Sequence, residues 1–415
     1  MRRVTAAGKP VILVLASTYP RRAGDHEPGF VHELCKRLTA QFEVVVLTAR
    51  SPGAAAAETI DGVEIVRYAY APARWETLAH NGGITVNLRR HKWKWLLVPS
   101  FFLAQYFAAR AIVRKRHVDA VHAHWLLLQG LVARRLRKRF GIPYLVTSHG
   151  ADLFGLRSRL AGWLKRLVAN DCAIMTVVSS AMREEAARIG LRPPRIEVLS
   201  MGVDLRNRFV PDARTQRADG ELLFVGRLVP KKGLTHLLDA LPAVLARRPQ
   251  ARLVVAGFGP DEEALRAKAL ALKVHDRVEF VGPIAQDKLA DMYRHAAVFV
   301  APFVQDANGD QEGLGLVVVE AIGCGCPVVA SALPALRDVF GNELVGLVEP
   351  GNAEALADAI LTVLDSFGRA DSLRDRLRER VVAKFDWEIV ADQHADLLGT
   401  AITARKEAFD ARSQD

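Results

Sequence analysis

The feature that most constrains this chain is an alternation, run through twice, of short β-branched apolar runs with amphipathic stretches of helical length. In the first half, strands are predicted at residues 11–18, 43–49, 64–68, 120–124, 144–149, 174–179 and 196–199. Helical stretches such as 29–40 and 129–140 lie between them. In the second half, strands are predicted at 222–225, 253–257, 278–281, 298–302, 327–331 and 345–348, with helices such as 234–247 and 354–367. Near-continuously apolar strands separated by helices belong to parallel sheets covered on both faces. The expected fold class is α/β, with two doubly wound parallel-sheet domains.

A length of 415 residues exceeds one ordinary core and suits two such domains. The stretch 204–220 has no clear period, is rich in Arg and Asp, and holds Pro211, so it reads as a linker. The expected division is 1–203, the linker, 221–385, and C-terminal helices over 386–415. Doubly wound sheets place ligands at the carboxyl ends of their strands, so a central cleft between the domains is the expected site.

Charge is uneven. Residues 1–200 carry 31 Lys+Arg against 14 Asp+Glu, a net of +17, whereas residues 201–415 carry 26 against 32, a net of −6. The basic half favours an anionic partner or surface. Cys35, Cys172, Cys324 and Cys326 are sparse and irregularly spaced, which suits a reducing, cytoplasmic compartment and no disulfide framework. The apolar run after Met1-Arg2-Arg3 reads as a first strand in preference to a signal peptide. The stretch 96–113 is broken by Pro99, Gln105 and Arg110, and is expected to fall short of the roughly 18 uncharged residues that span a bilayer.

Two stretches carry chemistry. Gly226-Arg227-Leu228-Val229-Pro230-Lys231-Lys232-Gly233 follows a strand and precedes a helix. Fixed cations beside free backbone N–H groups at a helix start form an anion site, although a solvated basic turn has the same composition. Arg227 offers a fork to phosphate oxygens and Lys232 a compact charge. The second stretch is Gln311-Glu312-Gly313-Leu314-Gly315-Leu316-Val317-Val318-Val319-Glu320-Ala321. With a helix starting near Leu314, Gly313 and Gly315 would let backbone N–H groups approach a phosphate. Glu320, about two turns in, would accept from ribose hydroxyls, and Glu312, at the mouth, from sugar hydroxyls. Either glutamate alone reads as a surface carboxylate, but Glu320 stands in an apolar run where an unpaired charge is costly.

Together with Ser148-His149-Gly150-Ala151-Asp152, these stretches resemble the retaining glycosyltransferases of family 4, the "glycosyl transferases group 1", which have the GT-B fold. The resemblance spans nearly the whole chain, including Met201-Gly202-Val203-Asp204, Val281-Gly282-Pro283 and Phe385-Asp386-Trp387-Glu388, and implies that the helices over 386–415 cross back to the N-terminal domain. It implies a hexosyltransferase with a nucleotide-diphosphate sugar (UDP- or GDP-sugar) as co-substrate and no required cofactor or metal. Arg227 and Lys232 would neutralise the diphosphate, Glu312 would contact donor-sugar hydroxyls, and Glu320 the ribose. Gly226, Gly282, Pro283, Gly313, Leu314, Gly315 and Leu316 would complete the donor site. His149 would reach the transferred sugar, and Asp152 would either orient His149 or bind acceptor. Where many relatives carry a Gly-Gly loop after the first strand, this chain has Arg21-Arg22-Ala23-Gly24-Asp25-His26-Glu27-Pro28-Gly29-Phe30. Gly24 or Gly29 takes that place, and Asp25 and Glu27 stand as alternative acceptor contacts.

The run Arg89-Arg90-His91-Lys92-Trp93-Lys94-Trp95 sets cations beside tryptophans, a combination that suits peripheral contact with an anionic membrane. Arg134-Arg135-Leu136-Arg137-Lys138-Arg139 adds charge on a helix, and no module accompanies it that would suit nucleic acid. His122 and His124, and the pair Cys324 and Cys326, lack further ligands at metal spacing. The expected function is transfer of a hexose to a lipid-linked or polysaccharide acceptor in envelope or exopolysaccharide synthesis, in the cytoplasm at the inner face of the plasma membrane. A sugar-nucleotide epimerase, a sugar phosphorylase, or an inactive binding protein of the same fold would use the same phosphate grip.

Overall fold

The computed structural model describes residues 8–22, 29–79, 83–156, 158–343, 346–366 and 372–412. Its contacts divide the chain into two compact units. The first comprises residues 1–178, 182–201 and 390–415, and the second 179–181 and 202–389.

The first unit is built on an eight-stranded sheet. Its strands are β1 (Val11–Leu15), β2 (Glu43–Ala49), β3 (Ala57–Ile60), β4 (Val63–Tyr68), β5 (Ala120–His124), β6 (Tyr144–Ser148), β7 (Ile174–Val177) and β8 (Ile196–Val198). They lie in the order β3-β4-β2-β1-β5-β6-β7-β8. All neighbours run parallel except β3 and β4, an antiparallel hairpin that the sequence reading lacks. The β3 segment, Ala-Glu-Thr-Ile, has no buried residue, so it shows no apolar face to read. The usable signal is Asp61-Gly62, both at positive φ, the two-residue turn that matches strand twist.

The second unit holds a six-stranded parallel sheet of β9 (Ala218–Val225), β10 (Arg252–Ala256), β11 (Val278–Gly282), β12 (Ala296–Ala301), β13 (Val328–Ser331) and β14 (Leu347–Val348). Their order is β11-β10-β9-β12-β13-β14. This is the doubly wound arrangement, with the switch point between β9 and β12. β12 is buried along its whole length, and the helices Leu234–Arg247 and Ala353–Asp365 seat Leu237, Leu241, Ile360 and Leu364 against one face.

Two expectations need adjustment. Residues 204–220 pack into the second unit, where Leu205 and Phe209 are buried against Gly323, whose place no larger residue could take. A linker reading overlooked these two anchors among the polar residues. The last helix, Trp387–Arg412, begins in the second unit and continues in the first, where Arg405 donates to the carbonyls of Val118 and Asp119 at 3.2 Å each. The second adjustment is that Lys92–Lys115 is one helical run, long and apolar enough by length and composition to cross a membrane. Pro99 does not interrupt it, because it stands in the first turn of the α-helical part, Leu97–Lys115, where its missing N–H has no partner to lose. Phe101, Gln105 and Ala109, spaced by four, are buried on its inner face.

Candidate functional site

In the second unit, the donor motifs converge at the carboxyl ends of β9, β11 and β12. Gly226 follows β9, and a short 3₁₀ turn at Pro230–Lys232 delivers Lys232 before the helix Leu234–Arg247. Gly233 joins the two at φ 70°, and a Cβ there would fall on the carbonyl oxygen of Pro302. Only glycine allows the turn to approach β12 so closely.

Lys232 Nζ lies 2.7 Å from Glu312 Oε2 and 4.6 Å from the centre of the Phe303 ring. Beside it, Lys231 Nζ is 3.3 Å from Asp310 Oδ1 and donates to the Gln311 carbonyl. Burial raises the Glu312 pKa, but the charges of Lys232 and Lys231, with hydrogen bonds from Lys232 and the Gly315 N–H, take it down to about 2. Glu312 is therefore a fixed carboxylate, able to accept from hydroxyls but not to donate. Its side chain is 17% exposed, held between these partners and solvent.

The helix after Gly315 (φ 82°) is Leu316–Gly323, two residues later than Leu314. Glu320 consequently sits little more than one turn in. Burial raises its pKa to about 7, against the lowering pull of a hydrogen bond from Tyr293 and the charges of Lys232 and Arg208. The Tyr293 hydroxyl, itself buried, donates to Glu320 Oε2 at 3.0 Å. Tyr293 answers how a carboxylate tolerates an apolar run, and no local spacing signals a partner 27 residues away. Gly282, at φ 74°, closes β11 with open space around its α-carbon, and Pro283 beside it is exposed.

The first unit contributes His149 at the end of β6. Its Nε2 lies 3.0 Å from His124 Nδ1, and the two rings stack with centroids 5.2 Å apart. The rings of Phe30 and Trp125 lie 5.1 Å from it at a tilt. Burial, with the nearby His394, lowers the His149 pKa to about 3, so the ring is neutral at physiological pH. Asp152 is fully engaged: it accepts from the Leu126 N–H at 2.8 Å, the Ser148 hydroxyl at 2.9 Å and the His149 N–H at 3.1 Å. These bonds hold a loop in which Trp125 (φ 78°) and Leu128 (φ 52°) adopt left-handed backbone, uncommon without glycine. Of the two readings for Asp152, the geometry favours orientation of His149. Phe30 and Trp125 carry no spacing that marks them for this site, and His124 reads in the sequence only as half of a pair without further metal ligands.

Gly24 and Asp25, with Glu27, lie outside the described residues; Gly29 precedes the helix Phe30–Leu38. Among the described residues no group of three or more His, Cys, Asp or Glu is placed to hold a metal ion. Cys324 and Cys326 are buried free thiols at the end of the Leu316–Gly323 helix.

Two doubly wound units, one with an anion grip and a glutamate pair eight residues apart, define a GT-B glycosyltransferase. Residues 30–207 match the model for Glycosyltransferase Family 4 and residues 208–381 that for Glycosyl transferases group 1, and the chain belongs to this family. It is 31% identical over 300 residues to the GDP-mannose-dependent alpha-(1-6)-phosphatidylinositol monomannoside mannosyltransferase of Mycobacterium tuberculosis, covering 70% of this chain and 78% of the relative. It is 33% identical to the D-inositol 3-phosphate glycosyltransferase of Frankia alni, covering 70% and 76%. Among solved structures, sucrose-phosphate synthase from Thermosynechococcus elongatus superposes with a TM-score of 0.76 at 25% identity, covering 95% of this chain and 100% of that one. Anabaena HepE in complex with UDP and glucose shares the fold, with a TM-score of 0.71 at 16% identity and 94% and 100% coverage. The protein is a hexosyltransferase that uses a nucleotide sugar as donor.

Proposed function

We propose that the protein transfers a hexose from a UDP- or GDP-sugar, with retention and without a metal, to a lipid-linked or polysaccharide acceptor at the inner face of the plasma membrane. The observation that carries this reading is the Lys232–Glu312 pair at 2.7 Å, with Lys232 on the turn that follows β9. In the bound state Lys232 and Arg227 offset the diphosphate charge that grows as the glycosidic bond breaks. Glu312, relieved of part of its partner, accepts from donor-sugar hydroxyls, and Glu320 accepts from the ribose. Gly282 and Pro283 meet the base. Gly313, Leu314, Gly315 and Leu316 bring backbone N–H groups to the phosphates. His149 contacts the transferred sugar. The leaving phosphate takes the acceptor proton on the face it departs from, which keeps the anomeric configuration.

The membrane part rests on an inversion of ordinary patterning. Lys94 is 6% exposed, while its neighbours Trp93 and Trp95 are 49% and 52% exposed. The Lys94 ammonium is drawn inward by the Thr77 carbonyl at 3.1 Å and Asn87 Oδ1 at 2.8 Å. Both indoles are thereby turned outward, next to exposed Leu96 and the cations Arg90 and Lys92. Indoles flanked by cations fit the headgroup layer of an anionic bilayer.

Thermal shift against a panel of nucleotide sugars tests the donor. A true donor at about 100 times its dissociation constant stabilises the fold by about 2.7 kcal/mol, and Lys232→Ala or Glu320→Ala removes the shift. Absence of a shift with every UDP- and GDP-sugar in folded protein would sink the donor assignment. Anomeric proton couplings of the product decide retention. Flotation with vesicles of anionic lipid, lost in a Trp93→Ser, Trp95→Ser double variant, decides the membrane contact.

A further inference from the structure

Four histidines lie together in the first unit, and only His149 among them belongs to the proposed reaction. His122 and His124 are buried side by side on β5, their rings 4.2 Å apart, and the His394 ring lies 5.8 Å from that of His122. His394 Nδ1 is 2.9 Å from the Val390 carbonyl, which can only accept, so that nitrogen carries its proton. His122 Nε2 bonds Thr147 Oγ1 at 2.8 Å. Burial keeps the whole group neutral, each ring with one proton.

A single proton therefore lies between His124 Nδ1 and His149 Nε2, 3.0 Å apart. Two arrangements satisfy the distance. If His149 donates, His124 must carry its own proton on Nε2, a fully buried atom with no partner among the described residues. An orphaned buried N–H is among the rarest features of native proteins. If His124 donates, its Nε2 holds only a lone pair, as the equally unpartnered His394 Nε2 does. The second arrangement removes the orphan donor and leaves His149 protonated on Nδ1.

We propose that His124 is a positioning residue that donates from Nδ1 to His149 Nε2 and so fixes His149 as the Nδ1–H tautomer. His149 then presents a hydrogen-bond donor, not a base, from a ring locked between His124, Phe30 and Trp125. A ring in this state orients a sugar oxygen and leaves proton removal to the departing phosphate. The inference rests on the assignment of His149 to the transferred sugar for its catalytic meaning, but not for its tautomer.

The test has two readouts. Long-range nitrogen–proton correlation spectra of the full-length protein labelled with ¹⁵N in histidine separate the two tautomers, with His149 assigned by comparison with His149→Ala. We expect the His149 ring as Nδ1–H in the wild type. His124→Gln, whose amide can also donate, keeps it, and His124→Leu shifts it to a mixture. Transfer assays should show kcat lowered at least about tenfold in His124→Leu, with the KM for donor little changed, and most of the rate restored in His124→Gln. A wild-type His149 found as Nε2–H overturns the proposal without any variant having to fold. The predicted tautomer together with full activity of His149→Ala would instead overturn the catalytic role of His149 and leave the His124 bond standing.

Discussion

At the scale of single residues, Glu312 and Glu320, the two glutamates of the proposed donor site, show how environment divides one chemical group into two. Glu312 is held charged by Lys232, whereas Glu320 is pushed up to about 7 by burial. Because the folded pKa of Glu320 lies above its ordinary value of 4.5, the folded state binds the extra proton between about pH 4.5 and 7. Stability is thus gained as pH falls through 7, and burying the carboxylate costs up to about 3 kcal/mol at pH 8. Glu320→Gln should be more stable than wild type at pH 8 and lose that advantage below pH 5, as chemical denaturation at the two pH values will show. Lys232→Ala leaves Glu312 enclosed without its closest partner, so it should destabilise the protein by about 2–5 kcal/mol. Lys232→Ala combined with Glu312→Gln should recover most of that loss in a denaturation series without recovering transfer.

At the scale of elements, the loop after β5 is strained at Trp125 and Leu128 and tied by the Asp152 carboxylate. Asp152→Ala removes three hydrogen bonds at once and should cost about 2–4 kcal/mol. Amide hydrogen exchange should rise first at Leu126 and His149, before the strands on either side; uniform loss of protection would contradict a local tie. The central strands were legible in the sequence because β1, β2, β9, β10 and β12 are buried over most of their length and largely apolar. The hairpin strand β3 was not, since none of its residues is buried. The turn over Gly226 to Gly233 and the two glutamates eight residues apart stand out by residue type and spacing alone. Tyr293 and the His124–His149 bond do not, since each joins positions more than 20 residues apart that share no local pattern.

At the scale of the molecule, the histidine cluster of the first unit responds to acid in the opposite sense to Glu320. Burial depresses the pKa of His149 to about 3 and of His394 to about 4, with His122 and His124 lowered as well. The unfolded chain binds those protons below about pH 6.5 while the folded unit refuses them, so stability falls as pH drops from 6.5 toward the folded values. Each histidine contributes about 1.4 kcal/mol per pH unit in that window. Five of the six tryptophans (Trp75, Trp93, Trp95, Trp125 and Trp163) lie in the first unit. Tryptophan fluorescence in urea should therefore show a midpoint that drops steeply between pH 6.5 and 4.5. Replacing His122 by Asn and His394 by Gln should flatten the trend.

The helix Trp387–Arg412 reaches back to the first unit, supplying His394 and Arg405 to a body otherwise built from residues before 202. On a translating ribosome the first sheet emerges early, yet its closing helix is made only after the whole second unit. The half of the enzyme that is synthesised first is accordingly the last to be finished, and it waits with its histidine cluster uncovered until then.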